Sequence, residues 1–121
     1  MLLRPIYRDE AKICIRAEPD DLPVRENAMV SGYDAFDREV EDGILARLDD
    51  GDAWAWAAVT VTVTWGAFTA SDHLGACSYA DERDFRQPGG YYDDMVEKAL
   101  AELNLAIQSL YQQLRRREEA N

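Results

Sequence analysis

His73 is the only histidine of the chain, and its imidazole is the side chain best suited to bind a metal ion or move a proton at neutral pH. Cys77 follows four residues later, a spacing that puts both side chains on one face of a β-strand. Zinc binding would need these two residues together with Cys14 and a carboxylate. Because no second pair of ligands has such a spacing, we predict that the chain holds no metal and no cofactor.

A hydrolase triad can also be written from neighbouring residues, with Ser71 or Ser78 as the nucleophile. His73 would be the base and Asp72 its partner. Asp72 and His73 are consecutive, however, so their side chains point to opposite faces of a strand, and the chain has no Gly-x-Ser-x-Gly motif. We therefore predict a structural histidine and a protein that is not an enzyme; an enzyme centred on His73 is kept as an alternative.

Carboxylates cluster in a polar stretch after this segment and again at the start of the last predicted helix: Asp81, Glu82, Asp84, Asp93 and Asp94. Paired carboxylates can exchange a proton or hold a cation. Their spacing does not match a calcium-binding loop, and acidic residues in the first turn of a helix stabilise its positive end. We predict that Asp93 and Asp94 have this structural role.

The charge of the chain is strongly negative, with 24 acidic and 13 basic residues and a net charge of −11. A field of this sign repels nucleic acids and anionic membranes and attracts basic proteins. Residues 34–52 contain eight acidic residues and two arginines, so this segment carries −6 of the total. The charge either keeps the protein soluble or presents carboxylates to a basic partner. Direct binding to nucleic acid or to a membrane is not expected.

The element around which the chain is organised is a predicted strand at residues 54–65, WAWAAVTVTVTW. Valines alternate with threonines, the pattern of a strand with one buried face. Three valines form that face: Val59, Val61 and Val63. Counting back along the strand puts Trp54 and Trp56 on the opposite, threonine face, where two indoles need a cover from the chain or from a partner.

Two helices are predicted beside this strand. Residues 34–52 have apolar side chains every four residues, with Asp34 as the N-cap. Residues 91–117 carry a heptad seam: Val96, Leu100, Leu103, Ile107, Leu110 and Leu114. This seam either packs on the protein's own sheet or forms a coiled coil with a second copy.

Further strands are predicted at residues 11–17 and 73–79, and a hairpin partner of the first at residues 2–7. We therefore predict a single α+β domain over residues 1–121, with an antiparallel sheet of about three or four strands packed against two helices, including a long C-terminal helix. Neither a signal peptide nor a membrane span of roughly 20 apolar residues is apparent. This predicts a cytoplasmic protein in which Cys14 and Cys77 are buried, reduced thiols, with a disulfide as the alternative.

The segments DAWAWAAVTVTVTW, DHLGACSY and DFRQPGGYYDDM, within residues 52–95, resemble small acidic accessory proteins of phages and plasmids. The resemblance covers a little over a third of the chain and implies no catalytic residues, because this group has no assigned chemistry. It implies the setting of mobile elements, in which small acidic proteins often inhibit host defence, as anti-CRISPR proteins do. Several such inhibitors present carboxylates to the arginine-lined nucleic-acid surface of their target.

Together these features predict a non-enzymatic inhibitor that docks on a basic surface, for example of a nucleic-acid-binding complex. The residues expected to form the docking surface are Asp37, Glu39, Glu41, Asp42, Asp49, Asp50 and Asp52, the two tryptophans Trp54 and Trp56, and Asp81, Glu82 and Asp84 of the polar stretch. The first alternative is a structural or regulatory homodimer that uses the C-terminal helix.

Overall fold

The computed structural model describes residues 3–120 and has an α+β fold. Three strands, β1 (Lys12–Pro19), β2 (Ala57–Trp65) and β3 (Phe68–Cys77), form one antiparallel sheet in the order β1-β2-β3. The helices are α1 (Asp34–Asp49), the short α2 (Glu82–Phe85) and the long α3 (Tyr91–Ala120). The predicted fold class is confirmed, including the central strand and the long C-terminal helix.

The valine face of β2 is the centre of the core. Val61 and Val63 are fully buried, and Val59 is 1% exposed. Helix α3 covers this face with a stripe of buried side chains, among them Val96 and Leu103. The alternate valines of the strand and the inward stripe of the helix therefore bury the same core from opposite sides.

The threonine face of β2 is open and polar. Each threonine pairs sideways with a residue of β3: Thr60 Oγ1 lies 3.1 Å from His73 Nδ1, and Thr62 Oγ1 lies 2.9 Å from Ser71 Oγ. Polar side chains that bond along the sheet can face water without an apolar cover. His73 is exposed within β3 and bonded to Thr60, and its structural role stays a prediction.

Trp54 does not lie on this face, which corrects the predicted strand start: it packs against the valine-face core, whereas the extended Trp56 belongs to a separate apolar cluster with α1. Residues Ala53–Ala55 form a 3-10 turn in which Asp52 Oδ1 accepts a hydrogen bond of 3.1 Å from the backbone N–H of Trp54. The turn breaks the alternation, and β2 begins only at Ala57. Trp56 is 5% exposed beneath α1, and its indole N–H donates to Leu22 O over 2.8 Å.

The predicted N-terminal hairpin is wrong. Residues 3–7 form no strand, and Arg8–Glu10 is a 3-10 turn; Leu2, part of that prediction, lies outside the described residues. The segment is held on α3 instead, because Asn104 Oδ1 accepts from the Ile6 N–H over 2.7 Å and Asn104 Nδ2 donates to Ile6 O over 3.0 Å. A side-chain amide that satisfies both backbone groups replaces the missing strand partner.

Two other boundaries differ from the prediction. Strand β3 begins at Phe68 rather than at His73, because Gly66, with φ +57°, allows a tight turn directly after β2. The polar stretch after β3 contains the short helix α2, whose Phe85 is 1% exposed in the core. Both changes lengthen the ordered part of this region.

The two cysteines are unpaired, as predicted, but they are not both buried. Cys77 is half-buried, and its Sγ–H donates to Ala57 O over 3.3 Å; burial raises the pKa of its thiol. Cys14 is exposed, because its position in β1 points to the open face of the sheet. Across residues 3–120, no helix combines the length and apolar character needed to cross a membrane.

Candidate functional site

The outward face of α1 carries the most accessible carboxylates of the predicted docking surface. Positions 35, 39, 42, 46 and 49 recur at steps of four and three, so they line one side of the helix, and all five are exposed: Ala35, Glu39, Asp42, Ala46 and Asp49. Asp50, directly after the helix, is also exposed. We call these six residues the acidic face of α1. The small side chains of Ala35 and Ala46 leave the neighbouring carboxylates uncovered.

Three carboxylates of this face are unpaired. The side chains of Glu39, Asp49 and Asp50 make no hydrogen bond and no ion pair with any residue between positions 3 and 120. They face solvent and are free to meet a cation. These three are the predicted residues that the structure leaves best placed for docking.

Arg25 pairs with two other carboxylates of the predicted docking surface. Its guanidinium bonds Glu41 Oε1 at 3.2 Å and also pairs with Asp42. Glu41 is 6% exposed, and its second oxygen accepts the Glu26 N–H over 2.7 Å. Both carboxylates raise the pKa of Arg25, with Asp42 the larger cause. Glu41 is thus a buried structural group, whereas Asp42 stays at the surface.

Asp37 and Asp52 also have partners within the chain. Asp37 accepts bonds from the backbone N–H of Ser31, at 3.1 Å, and from its hydroxyl. Asp52 forms an ion pair of 2.8 Å with Arg47, whose guanidinium also donates to Tyr79 O over 2.6 Å. The first pair shapes the loop before α1, and the second ties the end of α1 to the strand region behind it.

The acids near α2 mainly shape their own turn. Asp81 Oδ1 caps the helix by accepting the Asp84 N–H over 2.8 Å, and Asp84 accepts the Ala80 N–H over 2.9 Å. Glu82 pairs with Arg86 at 3.4 Å. Arg47 also donates to Ala80 O over 3.2 Å, so this turn lies beside the C-terminal end of α1. Its carboxylates extend the negative surface but are partly compensated.

Neither tryptophan is a free apolar anchor. Trp56 is covered by the chain itself, and Trp54 is half-buried against Phe85, with ring centroids 5.4 Å apart. Trp54 also meets Tyr79 edge-on at 6.3 Å. The cover that the two indoles required is supplied within the molecule.

Sequence reasoning missed an exposed apolar patch beside the start of α1. Val30 is 77% exposed, Tyr33 76% and Phe36 50%. Tyr33 directly precedes the first residue of α1, and Phe36 lies one helical turn before Glu39. The available signal was an apolar stretch before the helix that fits neither a strand nor a helix period.

A groove of about 580 Å³ runs between this loop and α1. Its lining is mixed, with apolar side chains below several charged ones: Glu26, Met29, Val30, Asp34, Ala35, Asp37, Arg38 and Glu41. Glu26 has φ +68°, a strained conformation for a residue with a side chain, and its N–H bond to Glu41 holds it there. The groove joins the apolar patch to the acidic face of α1.

Metal-binding side chains are not brought together among residues 3–120. No three His, Cys, Asp or Glu side chains in this range are placed to hold a metal ion. Cys14 and His73 lie on β1 and β3, with β2 between them, so they are separated by two strand spacings of about 4.8 Å each. Comparison of the chain with protein-family models, with curated proteins and with solved structures finds no match.

Proposed function

We propose that the protein is a non-enzymatic binding protein that docks on a basic surface of another protein through the acidic face of α1. The observation that carries the proposal is the set of three exposed, unpaired carboxylates on one helix side, Glu39, Asp49 and Asp50. Other carboxylates of the predicted surface are engaged within the chain, and these three are not. Exposed charges of this kind speed encounter and select the sign of the partner.

The apolar patch formed by Val30, Tyr33 and Phe36 supplies the other part of the surface. Charges at a rim add little affinity by themselves, because water and salt screen them. Interfaces gain most of their binding energy from a few buried aromatic or apolar side chains. Phe36 lies one helical turn before Glu39, so one partner surface can cover this patch together with the start of the acidic face of α1.

The partner class follows from charge. A net charge of −11 repels nucleic acid, whereas a protein that handles nucleic acid has an arginine- and lysine-rich surface. Docking there would block the nucleic acid from its site, which is the action of an inhibitor of anti-CRISPR type or of another inhibitor of host defence. Such partners are in the cytoplasm, the compartment in which two unpaired cysteines remain reduced.

The test compares two triple variants of equal charge. Glu39→Lys, Asp49→Lys and Asp50→Lys reverse the free carboxylates; Asp9→Lys, Glu97→Lys and Glu118→Lys reverse three exposed acids elsewhere. Each triple variant has a net charge of −5 instead of −11. Both tagged variants and the unchanged protein are used to capture proteins from host lysate.

We expect basic, nucleic-acid-handling proteins to be captured by the unchanged protein and by the second variant, and lost with the first. Capture should also fall steeply with salt, because screening shortens the reach of charge from about 10 Å at 0.1 M to about 3 Å at 1 M. Equal capture by both variants, or capture that salt does not weaken, would contradict the proposal.

A further inference from the structure

Helix α3 uses its heptad seam in two different ways. Its first part is core: Val96 and Leu103 are fully buried, and Leu100 is 8% exposed. Further along the same seam, Leu110 is 44% exposed and Leu114 53% exposed. The protein's own sheet therefore covers only the N-terminal part of the seam. The C-terminal part stays exposed and is available to a second copy.

The helix is longer than the sheet beneath it. At about 1.5 Å per residue, the 30 residues of α3 span about 45 Å, whereas the nine residues of β2 span about 30 Å. Ile107 packs beside Phe68 at the hairpin end of the sheet. A helical end of about a dozen residues is marginally stable in water without packing, so a partner on this end would stabilise it.

The exposed part of the seam is free of charge. Residues 105–114, LAIQSLYQQL, contain no charged side chain, although 31% of the chain is charged. Arg115, Arg116 and Arg117 follow directly. Two molecules that each carry −11 repel one another least where such a stretch meets its own copy.

We propose that the C-terminal end of α3 pairs with the same end of a second copy, in antiparallel orientation. A two-fold axis near Gln112 sets Leu110 of each copy against Leu114 of the other, in the alternating layers of an antiparallel coiled coil. This orientation places the two acidic bodies at opposite ends. It also keeps apart the arginine clusters at residues 115–117, which a parallel pair would set side by side.

The size of the contact sets its strength. Two helix ends that overlap over about ten residues bury less than the roughly 1,200 Å² of a standard specific interface. The dimer should therefore be reversible, with a dissociation constant in the micromolar range or weaker. The acidic face of α1 takes no part in the dimer. The outcome of a test of the dimer is therefore independent of the outcome of a test of the proposed function.

Sedimentation velocity and light scattering on the full chain test the dimer. The mass should rise with concentration from 13.7 kDa toward twice that value. Leu114→Glu should raise the dissociation constant at least tenfold. The matched control Leu105→Glu changes a side chain that is 66% exposed and lies off the seam, and it should leave dimerisation intact. A constant monomer mass up to millimolar concentration, or equal effects of the two variants, would overturn the proposal.

Spin labels distinguish the two orientations. A single cysteine at the exposed Glu102, in a chain with Cys14→Ser and Cys77→Ser, lies ten positions from the proposed axis. The two labels should then be about 30 Å apart in an antiparallel pair, against about 10 Å in a parallel one. Circular dichroism checks that the labelled chain is folded. The short distance would overturn the antiparallel arrangement.

Discussion

At the scale of single residues, the acidic side chains of this protein fall into two kinds that look alike in the sequence. Glu39 and Glu41 are two positions apart in one helix, yet Glu39 is exposed and unpaired, whereas Glu41 is buried and bonded. The difference comes from Arg25, which belongs to a loop far away along the chain. A count of acids therefore overstates the charge that a partner can reach.

Glu41 should matter for stability rather than for binding. Glu41→Ala removes the acceptor of the Glu26 N–H and of the Arg25 guanidinium, and we expect a loss of about 1–3 kcal/mol in the free energy of unfolding. Urea denaturation followed by circular dichroism measures it. Glu39→Ala, at an exposed position without a partner, is the control and should change stability by less than about 0.5 kcal/mol. Similar losses for both would contradict the assigned roles.

At the scale of elements, the predictions that succeeded were those in which one local pattern decides the structure. The alternation in β2 fixes its buried face, and the seam of α3 fixes the helix that covers it. Predictions failed where a distant group decides, as at the N-terminal segment, and where a local turn interrupts a pattern, as before β2. Asn104 holds the N-terminal segment as a docked coil, and Asp52 turns the chain before β2, so the parity count could not be carried back to Trp54.

The candidate site was predictable to a similar extent. The acidic face of α1 follows from composition and helix period, so the free carboxylates were among the predicted residues. The apolar patch was missed, because Phe36 was counted on the apolar face of the predicted helix and the apolar stretch before that helix has no clean period. Only the packing of Val40 and Ile44 beside Trp56 shows that the helix buries its middle and leaves its first turn uncovered.

Two leucines of α3 test how the helix divides its faces. Leu103 is fully buried under the sheet, and Leu105 is 66% exposed. Leu103→Ala leaves a cavity and should cost about 2–5 kcal/mol of unfolding free energy, whereas Leu105→Ala should cost less than about 0.5 kcal/mol. Urea midpoints of the two variants give the comparison. A large loss for Leu105→Ala would show that its face is also packed.

At the scale of the whole molecule, unbalanced charge opposes folding. Ion pairs within residues 3–119 are mostly exposed, and such pairs contribute about 0–1 kcal/mol each. The remaining acids repel one another in the compact state. The molecule therefore combines an ordinary hydrophobic core with a surface on which negative charges repel one another.

Added salt should stabilise the protein. From about 20 to about 300 mM sodium chloride, we expect the melting temperature to rise by a few degrees, because screening weakens repulsion more than it weakens exposed pairs. Differential scanning calorimetry measures the change. The Glu39, Asp49 and Asp50 lysine variant, with a net charge of −5, should show a smaller rise. A melting temperature that falls with salt would mean that the ion pairs outweigh the repulsion.

Arg47 joins the end of α1 to Asp52 on one side and to the carbonyl oxygens of Tyr79 and Ala80 on the other. A helix fastened in this way cannot swing away from the body when something touches it. If the proposed docking occurs, a helix held in place beforehand loses little conformational freedom on association. In the proposed docking, such preorganisation would add affinity to a surface that has few free carboxylates.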